Sequence, residues 1–429
     1  MLNLLEVSQL VALVVFVATV IVVISGVVDR ALAAMAGVAL MVLLGVLEPS
    51  DVVRYIDWNI LALLVGIWLI AGYFTDSGVP EYIAFRMLRR SGGDLAKLMI
   101  MMASFAALIS MFVDNVVVVL MMAPMIFSMC RSLKVDPSPF VIFTALSANF
   151  SGTALLIGDL PPMMLASVAG IGFMDFFISQ GRPAAFPILM LTLILLMIIY
   201  WAYFKRQSWR LDNSWRLNKM PHIKNERLAI LSTLFFAGTV AALAMHEVLG
   251  LPLGLIGFCG AIVLALAVKE GFEERLSEID WRAVFFYAAL FALVGGLKKV
   301  GLIGMLAGWV ASLIGSSRLL GVSVIYWVSA GLVSVVEHDA YILVMLNTIK
   351  ELSILYGIDP YPLWWSLVLS GTLGSNFTMM GAPALLVALN ICEREGYKVN
   401  LKDFFKMTVP FSAASLIICF AITVAFWAL

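Results

Sequence analysis

Charge is scarce in this chain, and that scarcity sets the first boundary. Of 429 residues only 13% are Asp, Glu, Lys or Arg while 63% are hydrophobic, far from the roughly 25% charged residues of soluble domains. The bilayer is the solvent this composition calls for. Neither sign is in excess, with 27 Lys and Arg against 27 Asp and Glu, so the basic surplus of a nucleic-acid binder is missing and no nucleic-acid partner is expected. Cysteine is rare too: Cys130, Cys259, Cys392 and Cys419 stand far apart in apolar runs without CxxC spacing, which fits neither a disulfide framework nor a zinc site. Histidine numbers three; His246-Glu247 opens like a zincin motif, but no second His follows at the required spacing and His222 sits in a charged linker. Metalloprotease chemistry therefore has no support, and neither an enzyme nor a cofactor is expected.

What is present is apolar length. A bilayer core needs about 20 apolar residues per helix, and such runs recur near 8–28, 31–48, 58–75, 139–168 and 184–204, then again near 227–247, 251–268, 281–300, 361–390 and 404–428. The first run carries Glu6 and no Lys or Arg ahead of it and exceeds a signal-peptide core, so it reads as a retained transmembrane helix. A shift of about 223 residues superimposes the two sets, placing Asp57-Trp58 on Asp280-Trp281 and Gly158-Asp159 on Gly381-Ala382. The reading is an all-α polytopic membrane protein of two repeats, 1–204 and 227–429, joined by a linker at 205–226.

Between the third and fourth crossings of each half lie long apolar regions, 95–133 and 319–350, each interrupted by an ionisable cluster. They are predicted to be re-entrant helical hairpins whose polar tips reach the midplane. The segments 79–91 and 301–317 before them mix charged with apolar residues and read as interfacial helices. The linker carries Lys205, Arg206, Arg210, Arg216, Lys219, Lys224 and Arg227 against Asp212 and Glu226, which places it in the cytoplasm and both termini outside a cell membrane. The two repeats are then inverted relative to each other.

Charges at membrane depth line cavities or ion paths. Asp114-Asn115 interrupts the first hairpin, and Glu337-His338-Asp339 the second. Three adjacent ionisable groups in apolar surroundings mark a proton or cation site, with His338 the group suited to titrate near neutral pH. The fourth span of each half holds a polar, glycine-bearing break: Asn149, Ser151, Thr153 and Gly158-Asp159 in one, Ser375, Asn376, Thr378 and Gly381 in the other. Glycine and proline there free backbone groups that bind ions. Paired Met residues such as Met163-Met164 are read as packing.

At these residues the chain resembles the ion-transporter superfamily that groups arsenite permeases, sodium/proton antiporters, the melanosomal P protein and citrate and dicarboxylate transporters. The likeness rests on Ser110-Met-Phe-Val-Asp-Asn115 with Pro124, on Asn149-Phe-Ser-Gly-Thr-Ala-Leu-Leu-Ile-Gly-Asp159, and on Leu373-Gly-Ser-Asn-Phe-Thr-Met-Met-Gly-Ala382. It implies an elevator mechanism with scaffold and transport domains, a homodimer, and ion sites between each hairpin tip and its broken helix. Sodium would sit at Asp114, Asn115 and Asn149, with Thr153 and Gly158 nearby, and at Asp339 and Asn376, with His338, Ser375 and Thr378 nearby. The dicarboxylate branch has Ser-Asn-Thr at its tips, where this chain has Asp114-Asn115-Val116 and His338-Asp339-Ala340. The expected function is proton- or sodium-coupled transport of a small inorganic solute such as arsenite, with sodium/proton antiport and citrate or dicarboxylate transport as alternatives.

Overall fold

The computed structural model describes residues 6–206 and 225–429, apart from 93, 134 and 316. Most of the charged linker, including Arg210, Arg216, Lys219 and Lys224, lies outside the described residues. The first half contains α1 (Val7–Ser25), α2 (Arg30–Leu43), α3 (Pro49–Tyr55), α4 (Trp58–Asp76), α5 (Val79–Ser91), α6 (Leu95–Ser110), α7 (Asn115–Leu133), α8 (Ser138–Ser151), α9 (Leu160–Ala169) and α10 (Ala185–Lys205). The second contains α11 (Glu226–Ala244), α12 (His246–Leu249), α13 (Leu253–Val268), α14 (Phe272–Glu278), α15 (Trp281–Lys299), α16 (Leu302–Ile314), α17 (Arg318–Val333), α18 (His338–Tyr356), α19 (Tyr361–Ser375), α20 (Pro383–Arg394) and α21 (Leu401–Trp427). A two-residue β-hairpin, Ile178–Ser179 with Arg182–Pro183, follows α9. It pins the end of α21: Trp427 Nε1 donates to the Pro183 carbonyl at 2.9 Å.

The helix limits follow from caps that recur at one spacing. Asp57 accepts from the Asn59 and Ile60 amides to start α4, and Asp280, 223 positions on, accepts from Ala283 to start α15. Asp94 caps α6 and Ser317 caps α17 through the third amide of each helix. Such acceptors satisfy amides that a helix start leaves open. Gly78 and Gly301, with φ of 74° and 80°, turn the chain into α5 and α16, a conformation glycine adopts without strain. Starts and ends of α4 to α7 recur as those of α15 to α18 at the same offset.

Among the described residues six helices, α1, α4, α10, α11, α15 and α21, are long and apolar enough to cross a membrane alone. The second crossing of each half is shorter than its hydropathy run, because α2 stops at Leu43 ahead of Gly45 at φ 76° and a separate seven-residue helix, α3, follows. The sequence reading missed α3 and its counterpart α14. Both fourth crossings break as expected, α8 from α9 between Ser151 and Leu160, and α19 from α20 between Ser375 and Pro383. Pro161 and Pro162 lack amides to donate and so stand where α9 begins. The 16 residues of α6 and of α17 reach about 24 Å at ~1.5 Å per residue, short of a bilayer core near 30 Å.

Packing sorts the helices into two groups. One holds α1 to α4 with α11 to α15, knit by α4 on α13 and by α2 on α15. In the first of these contacts Gly66 meets the backbone of Gly257 so closely that no side chain fits, as small residues permit in membranes. The other holds α6 to α10 with α17 to α21, built around α8 and α19. In it each post-break helix lies against the second hairpin arm of the opposite half, α9 on α18 and α20 on α7. The groups meet more sparsely, through α4 with α7 and α9, and α15 with α18.

Candidate functional site

The hairpin tips and helix breaks converge in the middle of the second group. Asp114 caps α7, its Oδ1 accepting from the Val116 amide at 2.9 Å, and Glu337 caps α18, accepting from the Ala340 amide at 2.8 Å. These are equivalent positions, so the frame that presents each tip is an acidic N-cap. Gly158 and Gly381 bring each break against its tip. A methyl added at Gly381 would lie 2.6 Å from the carbonyl oxygens of both Val333 and Ser375; one at Gly158 would meet those of Ser110, Met111 and Gly152. The two glycines thus let hard oxygen donors of tip and break converge, the kind of ligand an alkali cation takes.

The two breaks also cross. Asn115 Nδ2 donates to Asn149 Oδ1 at 2.8 Å and to Asp159 Oδ2 at 3.0 Å. Asn149 Nδ2 donates to Ser375 Oγ and Asn376 Oδ1, each at 3.0 Å, and Asn376 Nδ2 to the Leu146 carbonyl at 3.3 Å. The Thr153 and Thr372 hydroxyls bond each other. Under the repeat offset Asn149 maps on Thr372 and Thr153 on Asn376, so the two cross-break pairs are images of one another. All these asparagines and threonines are buried. Expected as parts of two separate sites, they form one hydrogen-bonded junction: Asn376 bonds Asn149 of the other half and not Asp339. Thr378 ties the second break to its tip, its hydroxyl donating to the Ser334 carbonyl while accepting from the Gly381 amide at 3.3 Å.

Buried polar groups without partners are few in folded proteins, and six of the ten such atoms among the described residues lie at the hairpin tips and the first break. Ser110 and Ser151 hydroxyls, Glu337 Oε1, both His338 ring nitrogens and Asp339 Oδ1 make no hydrogen bond among the described residues. His338 Nε2 lies 3.1 Å from Asp339 Oδ1 but outside hydrogen-bonding geometry. Donor atoms of Glu337, His338 and Asp339 lie within 4.8 Å of one another. Two carboxylates and an imidazole are a donor set for a proton or a cation.

Asp114, Asn115, Asp159, His338 and Asp339 all line one cavity of about 640 Å³. Its deep end holds His338 and Asp339 at 2% and 1% exposure. Its rim holds Asp280 and Glu278, whose side chains are 54% and 58% exposed. Trp68, Gly72 and Thr75, on the C-terminal half of α4, form one wall. A smaller cavity, about 230 Å³, touches Asn59, Ile60 and Leu63 at the opposite end of α4 and contains none of these acids. The mouth of the large one faces the end of the molecule where Arg227, beside the linker, donates to Ala267 of α13. Sequence reasoning passed over several lining residues, Arg30 and Tyr287 among them. Arg30 begins α2, one residue before the apolar run at 31–48, and Tyr287 lies inside an apolar span; both line this cavity from the first helix group.

Two helix groups enclosing a polar, one-sided cavity at mid-depth define a polytopic membrane transporter. Residues 19–370 match the citrate transporter family, CitMHS, and the chain belongs to that family. It is 31% identical to an uncharacterized transporter of Mycobacterium tuberculosis, over 96% of this chain and 97% of that one. It is 28% identical to the P protein of Homo sapiens, over 91% of this chain and 56% of that longer protein. Among solved structures it resembles the YdaH transporter of Alcanivorax borkumensis, with a TM-score of 0.58 at 14% identity, covering 98% of each chain. It resembles MtrF of Neisseria gonorrhoeae with a TM-score of 0.56 at 11% identity, over 99% of this chain and 96% of that one. These two likenesses speak to the fold.

Proposed function

We propose that the chain is a cation-coupled secondary transporter of a small oxygen-bearing anion, in which Asp114, Asp159, His338 and Asp339 carry the coupling proton or sodium ion. The observation behind this reading is that ionisable groups from both halves share one cavity with unpartnered polar atoms at its deep end. A proton and a cation competing for the same carboxylates bind only in alternation, which couples their movements. The carbonyl junctions at Gly158 and Gly381 are the candidate sodium seats, with Asp114 and Asn115 beside one and Asp339 beside the other. The second helix group, with both hairpins, is the moving body of an elevator and the first is its scaffold. With the basic linker in the cytoplasm of an inner-membrane protein, the cavity opens inward.

The family name favours a carboxylate such as citrate; the acidic tips, which differ from the Ser-Asn-Thr of the dicarboxylate branch, favour an inorganic oxyanion such as arsenite. A second reading, sodium/proton antiport without a solute, draws on the titratable cluster alone. Proteoliposome flux decides among them: proton and sodium movement with arsenite, antimonite, citrate or phosphate, for wild type and Asp114→Asn. Transport that needs one solute and falls to background in the variant supports the first reading and names the anion. Solute-independent sodium-driven proton movement supports the antiporter, and wild-type flux in Asp114→Asn removes that residue from the mechanism.

A further inference from the structure

Arg30 has no role in the reading above, yet it stands in the same cavity as the coupling acids. It begins α2, in the first helix group, and is anchored there: its Nη2 lies 3.5 Å from Asp280 Oδ2, its guanidinium lies 5.4 Å from the centre of the Phe286 ring, and neighbouring Asp29 lies 3.6 Å from Arg282. The Asp280 contact is long and its carboxylate is half-exposed, so the pair is weak and the guanidinium remains available to the cavity. Asp114, Asp159 and Asp339 line the same cavity as Arg30. These acids belong to the other helix group.

The repeat supplies a built-in comparison. The position equivalent to Arg30 is Leu253, and Leu253 lines the small cavity at the opposite end of α4. Tyr287, which also faces the acids, is matched by Leu64. The frame is duplicated, but the cation is supplied on one side only.

We propose that Arg30 is a tethered counter-cation that holds the unloaded acids, and the helix group carrying them, on this side of the membrane. Resting on the function proposed above, it works by competition. Without a bound cation, carrying ionised carboxylates away from a fixed guanidinium through a low-dielectric interior is strongly unfavourable. A proton or sodium ion neutralises the acids, displaces the guanidinium and releases the group. The unloaded carrier is thereby kept from returning empty, which enforces coupling on the Arg30 side.

The test uses the full chain in proteoliposomes, with sodium chloride gradients and pH jumps as probes. In wild type, flux with the driving cation on both sides should exceed net flux into cation-free lumen by about tenfold. Arg30→Gln should bring that ratio near one and tighten apparent sodium or proton affinity in detergent by a similar factor; Arg30→Lys, which keeps the charge, should restore both. Asp280→Asn removes the competing carboxylate and should shift affinity the opposite way, which decides the matter if Arg30→Gln does not fold. An unchanged ratio and affinity in Arg30→Gln overturns the proposal. So does a raised KM for the anion with coupling intact, which would make Arg30 an anion ligand. Retained coupled flux in Asp114→Asn would instead sink the underlying functional reading.

Discussion

The tip of the first hairpin offers one acid and an amide, Asp114 and Asn115; the tip of the second offers Glu337, His338 and Asp339 in a row. Around them the framework is nearly the same twice. Both tips are capped by an acid, both breaks approach through a glycine, and the breaks cross in image-related pairs. What differs is chemistry: Asp159 is matched by Ala382, Asp339 by Val116, Arg30 by Leu253 and Tyr287 by Leu64. Features kept in both halves are those that any ion seat or alternating movement needs on both sides. Features found once distinguish the two sides, and they cluster in the cavity that is open.

The largest expected effect falls on the duplicated glycines. Gly158→Ala and Gly381→Ala each push a methyl into backbone carbonyls, which cannot swing aside as a flexible side chain does. A displacement of about 1 Å at a binding junction costs on the order of 100-fold in rate, so each variant should lose transport to that extent while remaining a monodisperse, folded protein. Flux and sodium-dependent melting temperature measure both properties. Wild-type transport by Gly381→Ala alone would break the comparison, leaving a single working junction in the first half.

A smaller effect should separate the closed side from the open one. Asp57 caps α4 and also accepts from the Ser167 hydroxyl on α9, joining the two helix groups at the end away from the large cavity. The equivalent acid, Asp280, instead faces Arg30, and the equivalent of Ser167 is Asn390 on α20. In a Cys259→Ser background, which removes the exposed native thiol, Asp57→Cys with Ser167→Cys should cross-link in this state. Transport should then fall to about a tenth or less as the population is trapped. Asp280→Cys with Asn390→Cys should cross-link only under conditions that turn the cavity to the other side. Equal yields for both pairs under one condition would contradict an alternation between images.

Much of this was legible in the chain. The repeat offset could be read because its landmarks are polar residues, Asp57 and Asp280 above all, which cap helices and so cannot drift along an apolar run. Tips and breaks announced themselves because Asp114 and His338 are out of place at membrane depth and because Gly158 and Gly381 stand in polar breaks at matched positions of the two halves. The joining of the two expected sites was not legible, since the bond between Asn149 and Asn376 depends on where two breaks cross. Arg30 was missed for a related reason. Hydropathy gives a charge just before a span no partner, and only the packing of α2 on α15 brings it to the cavity. The helices α3 and α14 are too short for a periodic pattern to emerge.

Those short helices supply the smallest test. Each is tied by an ion pair to the end of the third span of the opposite half, but with the signs reversed: Asp51 of α3 with Lys299 of α15 at 2.6 Å, and Arg275 of α14 with Asp76 of α4 at 2.5 Å. Lys299, and then the Glu48 amide, hold the Asp51 carboxyl below its usual range. A lowered carboxyl contributes stability that is complete above its unfolded value near 4 and is lost as pH falls through the folded value. Asp51→Asn should therefore lower the melting temperature in detergent by on the order of 1–2 °C at pH 7 and by nothing once pH lies below both values. Asp76→Asn should match that drop at pH 7 if the pair serves only to pin its helix. A larger loss, accompanied by slower transport, would show that Arg275, which also lines the large cavity, serves the open side and that this pair too has diverged in use between the halves.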